Sequence, residues 1–150
     1  MDFSGRKYAT VDEKGRVLLP ADYKNEMGGK IPGDQLAVQI DPYEKCLNIY
    51  PVDAWNAHFG AVKSKLNRNN REHSRLLDML YSNFKVIQVP DNGRMNLPND
   101  FLEKVNIIKD VIFTGQGDRI RLWDVEVHKV YEGLGDYGEL YSKHVGNLEE

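Results

Sequence analysis

The chain repeats itself. The segment Tyr8-Ala9-Thr10-Val11-Asp12-Glu13-Lys14-Gly15-Arg16-Val17-Leu18-Leu19-Pro20-Ala21-Asp22-Tyr23, moved along by 78 residues, falls on Val86-Ile87-Gln88-Val89-Pro90-Asp91-Asn92-Gly93-Arg94-Met95-Asn96-Leu97-Pro98-Asn99-Asp100-Phe101. Gly15-Arg16 meets Gly93-Arg94, Leu19-Pro20 meets Leu97-Pro98, and Tyr23 meets Phe101. A looser echo sets Cys46-Leu47-Asn48-Ile49-Tyr50 against Arg119-Ile120-Arg121-Leu122-Trp123, with a shorter connection in the second copy. Two copies are too few for a solenoid. They imply one supersecondary unit used twice about a pseudo-twofold axis. A length of 150 residues suits one compact domain, or two very small ones sharing a core.

Each copy reads in the same order. A short alternating strand enters a tight turn at Gly15 or Gly93, and a second short strand runs out to Leu-Pro. Pro20 and Pro98 stand where a helix can begin. Those helices carry Tyr23 and Met27 in one copy, Phe101 and Val105 in the other. Strands follow at Leu36–Ile40 and Leu47–Tyr50, then at Val111–Phe113 and Ile120–Trp123. The expected class is α+β: two pseudo-symmetric, β-barrel-like halves, each with a helix. Between them Trp55, Phe59, Val62 and Leu66 recur at helical spacing, with Asp53 as the expected N-cap. Asn67-Arg68-Asn69-Asn70 predicts a break, and Leu76, Leu77 and Leu80 a second helix. The expected division is a first repeat over 5–55, a helical connector over 56–82, a second repeat over 83–126 and an acidic tail over 127–150. The tail holds one weak helical stretch and then Gly133, Gly135 and Gly138, a pattern expected to be poorly ordered or to depend on a partner.

Composition narrows the function classes. Apolar residues make up 41% of the chain, which fits a folded protein. Net charge is −3, but its distribution matters more than its sum. Residues 54–85 carry six Lys/Arg against two acids, and residues 124–150 carry two against seven. The first 31 residues are nearly balanced, so a DNA-binding face remains open. The N-terminal residues lack the apolar run of a signal peptide, and no stretch is long enough to span a bilayer. With a single cysteine, Cys46, these features suggest a cytoplasmic location. His58, His73, His128 and His144 have no metal-ligand spacing. Gly115-Gln116-Gly117 lacks the third glycine of a dinucleotide loop, and no serine sits in a nucleophile elbow. No enzyme, cofactor, metal or small-molecule substrate is implied.

The first turn carries the candidate site. Gly15 permits close backbone approach, Arg16 can pair with guanine or with a phosphate, and Lys14 offers a point charge. Arg6 and Lys7 sit on the preceding segment. Asp12 more plausibly orients Arg16 than meets DNA itself. An exposed Asp12–Arg16 pair with a purely structural role accounts equally well for the motif alone. Arg119 and Arg121 alternate with Ile120 and Leu122, which points them away from the core, toward a solvated face or an oligomer contact.

Asp12 to Pro20 resembles the D-x-x-x-R and leucine-proline signature of the MraZ family, and the second copy with Gly115 to Asp124 resembles that family's second half. The resemblance spans roughly residues 3–125. It implies an AbrB-like, swapped-hairpin fold and a sequence-specific regulator of the division and cell-wall gene cluster, usually a repressor. It further implies a homo-oligomeric ring on repeated promoter sites in double-stranded DNA, associated with the nucleoid. Arg16, Lys14, Gly15, Arg6 and Lys7 would then contact DNA. In the second copy Pro90 replaces Asp12 and the acid moves to Asp91, so Gly93 and Arg94 fit either a contact or a structural role. The rival reading is an oligomeric scaffold that holds a partner protein through the acidic C-terminal segment.

Overall fold

The computed structural model describes residues 1–148. Glu149 and Glu150, the last acids of the expected tail, lie outside the described residues. Eight strands run in chain order: β1 Arg6–Thr10, β2 Arg16–Leu18, β3 Gln35–Ile40, β4 Leu47–Pro51, β5 Phe84–Gln88, β6 Arg94–Asn96, β7 Asp110–Gly115 and β8 Ile120–Asp124. The helices are α1 Ala21–Glu26, α2 Val52–Lys63, α3 Arg71–Ser82, α4 Asn99–Lys104, α5 Val125–Glu132 and α6 Tyr137–His144. The fold is α+β, and every strand pairing is antiparallel.

The expected strand–turn–strand units form, but their strands part company beyond the turn. β1 pairs with β7 of the second copy, β5 pairs with β3 of the first, and β2 pairs with β6. Each copy thus lends its first strand to the other. The reason lies in burial. Val11, Val17 and Leu19 of one copy and Val89, Met95 and Leu97 of the other meet in one shared cluster, together with Tyr23 and Phe101. Two separate hairpins would leave those side chains in water, and a unit of this size cannot bury them alone.

The six-stranded sheet has the order β1-β7-β8-β4-β3-β5. With β5, β7 and β8 equated to β1, β3 and β4, that order reads the same from either end. The axis crosses the sheet where Asn48 faces Arg121, and crosses the β2–β6 ribbon where Val17 faces Met95. Each of these pairs joins equivalent residues of the two copies.

One face of the sheet meets the shared core, through Leu36, Val38, Leu47, Ile49, Val111, Phe113, Ile120 and Leu122. The other face carries two smaller clusters. Tyr50 and Ala37 pack under Trp55 and Phe59 of α2, with Leu80 of α3 and Phe84 against them. Ile112 and Trp123 pack under Val125, Val127 and Tyr131 of α5. This second layer changes the expectation for β8. Arg121 does point away from the main core, yet it is only 8% exposed, because α5 covers that face. Its guanidinium reaches Asp41 at 3.2 Å and lies 5.1 Å from the centroid of the Trp123 ring. Arg119 pairs with Asp118 and lies over Tyr50.

The helix starts vary in their chemistry. Pro51, not Asp53, occupies the N-cap of α2, and Asp53 falls within the first turn. Asn70 ends the predicted break and accepts from the backbone N–H groups of Glu72 and His73 to start α3. Asp124 does the same for α5 through Glu126 and Val127. The glycine-rich tail, expected to be poorly ordered or to depend on a partner, carries the helix α6, whose side chains are all exposed. Among the described residues no helix is long and apolar enough to cross a membrane.

The two turn glycines share φ +78°, the left-handed region in which a side chain strains the backbone. Their surroundings differ. A Cβ on Gly15 would stand 2.9 Å from the Leu97 carbonyl oxygen, whereas one on Gly93 would find its nearest neighbour at 3.6 Å. Gly93→Ala should therefore cost about 1–2 kcal/mol, and Gly15→Ala clearly more, since backbone must also move. Urea denaturation of the two variants checks the order. Equal losses would show that the close approach at Gly15 is relieved without cost.

Candidate nucleic-acid interface

The β2–β6 ribbon is the meeting point of the two turns. Alternation decides what it presents: Val17 and Met95 turn inward, while Arg16, Leu18, Arg94 and Asn96 turn outward. Arg16 stands opposite Asn96, and Arg94 opposite Leu18. Two arginines, one from each copy, thus share one outward face of a two-stranded ribbon. A ribbon of that width is an element the major groove of B-DNA admits. The ribbon is tied to both turns, since Leu97 N–H donates to the Gly15 carbonyl at 2.9 Å and Leu19 N–H to the Gly93 carbonyl at 2.8 Å.

Asp12 organises the first turn. One of its carboxylate oxygens accepts from the backbone N–H groups of Lys14 and Arg16, both at 2.9 Å. The other accepts from Arg16 Nε at 2.8 Å. Backbone bonds close the loop, from Asp12 N–H to the Arg16 carbonyl and from Gly15 N–H to the Asp12 carbonyl. The Arg16 guanidinium is held through its Nε, and among the described residues no hydrogen bond or ion pair involves its terminal nitrogens. The backbone N–H of Arg16 first, and then its guanidinium and the Lys14 N–H, hold the Asp12 carboxyl below its ordinary value of 3.8. Lys14 is exposed at the loop's tip, and Gly15 is buried beneath it.

The second turn keeps the shape with different chemistry. Asn92 Oδ1 accepts from Arg94 N–H at 3.0 Å, and Gly93 N–H donates to the Pro90 carbonyl at 2.8 Å. Pro90 has no N–H, so it cannot make the bond that Asp12 makes to the Arg16 carbonyl. No ion pair joins Arg94 to an acid among the described residues. The Asp91 carbonyl receives Lys24 Nζ from α1, and the Asp91 side chain is exposed.

The other candidates lie apart from this ribbon. Arg6 and Lys7 begin β1, roughly 13–17 Å of strand before Val11 at the usual rise per residue. Arg6 is engaged with Glu132 at 3.2 Å and Lys7 with Asp22 at 2.8 Å. The structure therefore brings Asp12, Lys14, Gly15, Arg16, Gly93 and Arg94 to one ribbon, and leaves Arg6 and Lys7 on its approach. Leu18 and Asn96 were missed as outward neighbours. The signal was present in the alternation of Arg16-Val17-Leu18 and Arg94-Met95-Asn96, but the pairing that sets them side by side was not.

A carboxyl held below its ordinary value stabilises the loop above that value, and the contribution is lost as pH falls through the depressed midpoint. A carbon-detected NMR titration of Asp12 should place its midpoint below 3.8. In Arg16→Ala the midpoint should rise only part of the way, because both backbone donors persist. A wild-type midpoint at the ordinary value would mean that the loop is not ordered by this side chain in solution.

Comparison with known proteins follows the same residues. The chain matches the model of the MraZ protein family, described as antitoxin-like, over residues 3–78 and 84–133. It is 35% identical over 127 residues to the transcriptional regulator MraZ of Phocaeicola vulgatus, covering 85% of this chain and 82% of that one. The transcriptional regulator MraZ of Xanthomonas campestris is 30% identical over 128 residues, 85% of each chain. That of Flavobacterium psychrophilum is 22% identical over 142 residues, 93% of this chain and 89% of the relative.

Proposed function

The chain belongs to the MraZ family, and we propose that it is a transcriptional regulator that binds double-stranded DNA sequence-specifically. The observation that carries this reading is the β2–β6 ribbon with Arg16 fixed on its outward face by Asp12. The exchange of β1 and β5 between copies supports an AbrB-like, swapped-hairpin architecture. In this reading the first repeat, residues 5–55, makes the DNA contact, 56–82 connects, 83–126 completes the ribbon, and the tail is separate.

The division of labour follows from geometry. Arg16 reads guanine O6 and N7 with its free terminal nitrogens. Asp12 removes rotamer freedom from that side chain before binding, so less entropy is lost on contact. Lys14 meets a backbone phosphate. Gly15 lets the turn close tightly on Leu97 beneath the tip that presents both. Arg94 lies on the same face without an acid to hold it, so it serves as a looser, flanking contact. Arg6 and Lys7 reach phosphate only by leaving Glu132 and Asp22. One ribbon offers few base contacts, so useful affinity calls for several copies on repeated sites, through effective concentration. That requirement suits a homo-oligomeric ring on promoter repeats, acting as a repressor of the division and cell-wall cluster at the cytoplasmic nucleoid.

The test is a fluorescence-anisotropy titration on the DNA upstream of the protein's own operon, against scrambled DNA, over a salt series. Arg16→Ala should lose about 1–3 kcal/mol of specific binding per contacted site while binding to scrambled DNA changes little. Lys14→Ala should weaken both DNAs and reduce the salt slope by about 1. Unchanged selectivity in Arg16→Ala would remove the ribbon from the DNA interface.

A second reading, a scaffold that holds a partner protein through the acidic tail, draws on α6. That helix and its flanks expose Leu134, Tyr137, Leu140 and Tyr141 beside Glu132. Truncation should begin after Gly133, because α5 packs on Ile112 and Trp123 and its loss would damage the sheet. DNA binding intact with partner capture lost would establish this role beside the first. DNA binding lost on truncation would count against a separate tail function.

A further inference from the structure

The duplication sets Arg94 where Arg16 stands, and Asn96 where Leu18 stands. Across the β2–β6 ribbon the register pairs them crosswise, Arg16 with Asn96 and Arg94 with Leu18. All four lie on the outward face, so the two arginines keep the pseudo-twofold symmetry and their neighbours break it. One end of the ribbon sets an arginine beside a carboxamide, the other an arginine beside an apolar side chain. Leu18 is 54% exposed, and Asn96 is exposed as well.

The fold has no visible use for the Asn96 side chain. Pro98, not Asn96, begins α4, and among the described residues no hydrogen bond engages the carboxamide. Asparagine is depleted in strands, where its short amide competes for the backbone. The equivalent position of the other copy carries leucine, so the ribbon does not need an amide to form.

Its chemistry is singular on that face. A guanidinium donates and never accepts, and leucine does neither. Asn96 Oδ1 is therefore the one side-chain acceptor among the four outward residues, with a donor beside it on the same amide. In the major groove guanine presents acceptors alone, which suits Arg16, whereas adenine presents the N7 acceptor next to the N6 amino donor. A carboxamide matches that second pattern with two bonds, Nδ2–H donating to N7 and N6–H donating to Oδ1. Cytosine offers only the donor and thymine only an acceptor. Spacing agrees. Side chains directly opposed on an antiparallel pair have Cβ atoms about 4.5–5.5 Å apart, and successive bases on a strand rise about 3.4 Å, so the two side chains can reach adjoining base pairs.

We propose, on the reading that this ribbon contacts DNA, that Asn96 is a specificity-determining residue that reads an adenine in the base pair next to the guanine met by Arg16. Leu18 has neither donor nor acceptor, so the Arg94 end of the ribbon makes no such demand.

The full chain is allowed to select binders from randomised double-stranded DNA, in parallel with Asn96→Ala and Arg16→Ala, and the enriched sequences are read. The wild type should enrich guanine with adenine in the adjoining pair. Arg16→Ala should lose the guanine. Asn96→Ala should keep it, while a preference of roughly tenfold for the neighbouring adenine disappears. Replacing that adenine by 7-deazaadenine, which lacks the N7 acceptor, should weaken wild-type binding about tenfold and leave Asn96→Ala unaffected. The wild-type half of that measurement stands even if the variant folds poorly. Four outcomes would overturn the role of Asn96 and leave the ribbon as the DNA surface. They are a neighbour other than adenine, the same neighbour preference in Asn96→Ala, a loss uniform over all sequences (the mark of a phosphate contact), and full wild-type affinity for the 7-deaza duplex. A wild type that enriches no sequence would overturn the DNA reading itself, and the role of Asn96 with it.

Discussion

The exchange of first strands between the two copies is the constraint on which everything else rests. β1 lies against β7, and β5 against β3, so neither copy owns a complete sheet. The hydrophobic term explains why. The inward residues of the ribbon's two strands, Val17 and Met95, meet on the axis at 2% and 0% exposure, which requires both strands to be in place at once. Folding is therefore coupled across a long span of sequence, and the loop-closure cost is met only when the shared core forms. The two turns are held at a fixed separation as a result, on one ribbon.

Symmetry is kept where burial demands it and broken where chemistry differs. Val17 and Met95 conserve an apolar contact on the axis, while Asn48 and Arg121 occupy the other axial pair with unlike groups. Asp41 reconciles them, taking the Asn48 amide at 2.9 Å and the Arg121 guanidinium at 3.2 Å. A charge pair this deep stabilises little by itself, because desolvation offsets most of the attraction. Removing one partner would strand the other, which fixes both side chains in register. The same asymmetry recurs in the turns. Asp12 locks Arg16, and Pro90 leaves Arg94 without a lock.

Much of the fold and part of the site were legible in the residues themselves. Gly15-Arg16 and Gly93-Arg94 located both turns, because positive φ is a local property of a residue. Trp55 and Phe59 located the face of α2 through a periodicity that is also local. For Asp12 the residues left two roles open, an orienter of Arg16 or one half of a structural ion pair, and the carboxylate lies 2.8 Å from Arg16 Nε. Arg121 is the instructive failure. Alternation correctly turned it away from the main core, but no local pattern in β8 reveals that α5, a segment with a weak helical signal, returns to cover it.

What the sequence determined by itself was the unit: its turns, its strand and helix order, its duplication, and the identity of the charged residues at the turn. These depend on backbone preference and side-chain period, which act over a few residues. What only the tertiary structure decided was partnership. It set β1 beside β7 instead of β2, put Arg16 and Arg94 on one face, and bonded Arg6 to Glu132. Those outcomes depend on which distant surfaces bury one another best, and a duplicated sequence offers two nearly equivalent surfaces for every strand. The choice between them is made by the summed burial of the whole core, which no single segment encodes.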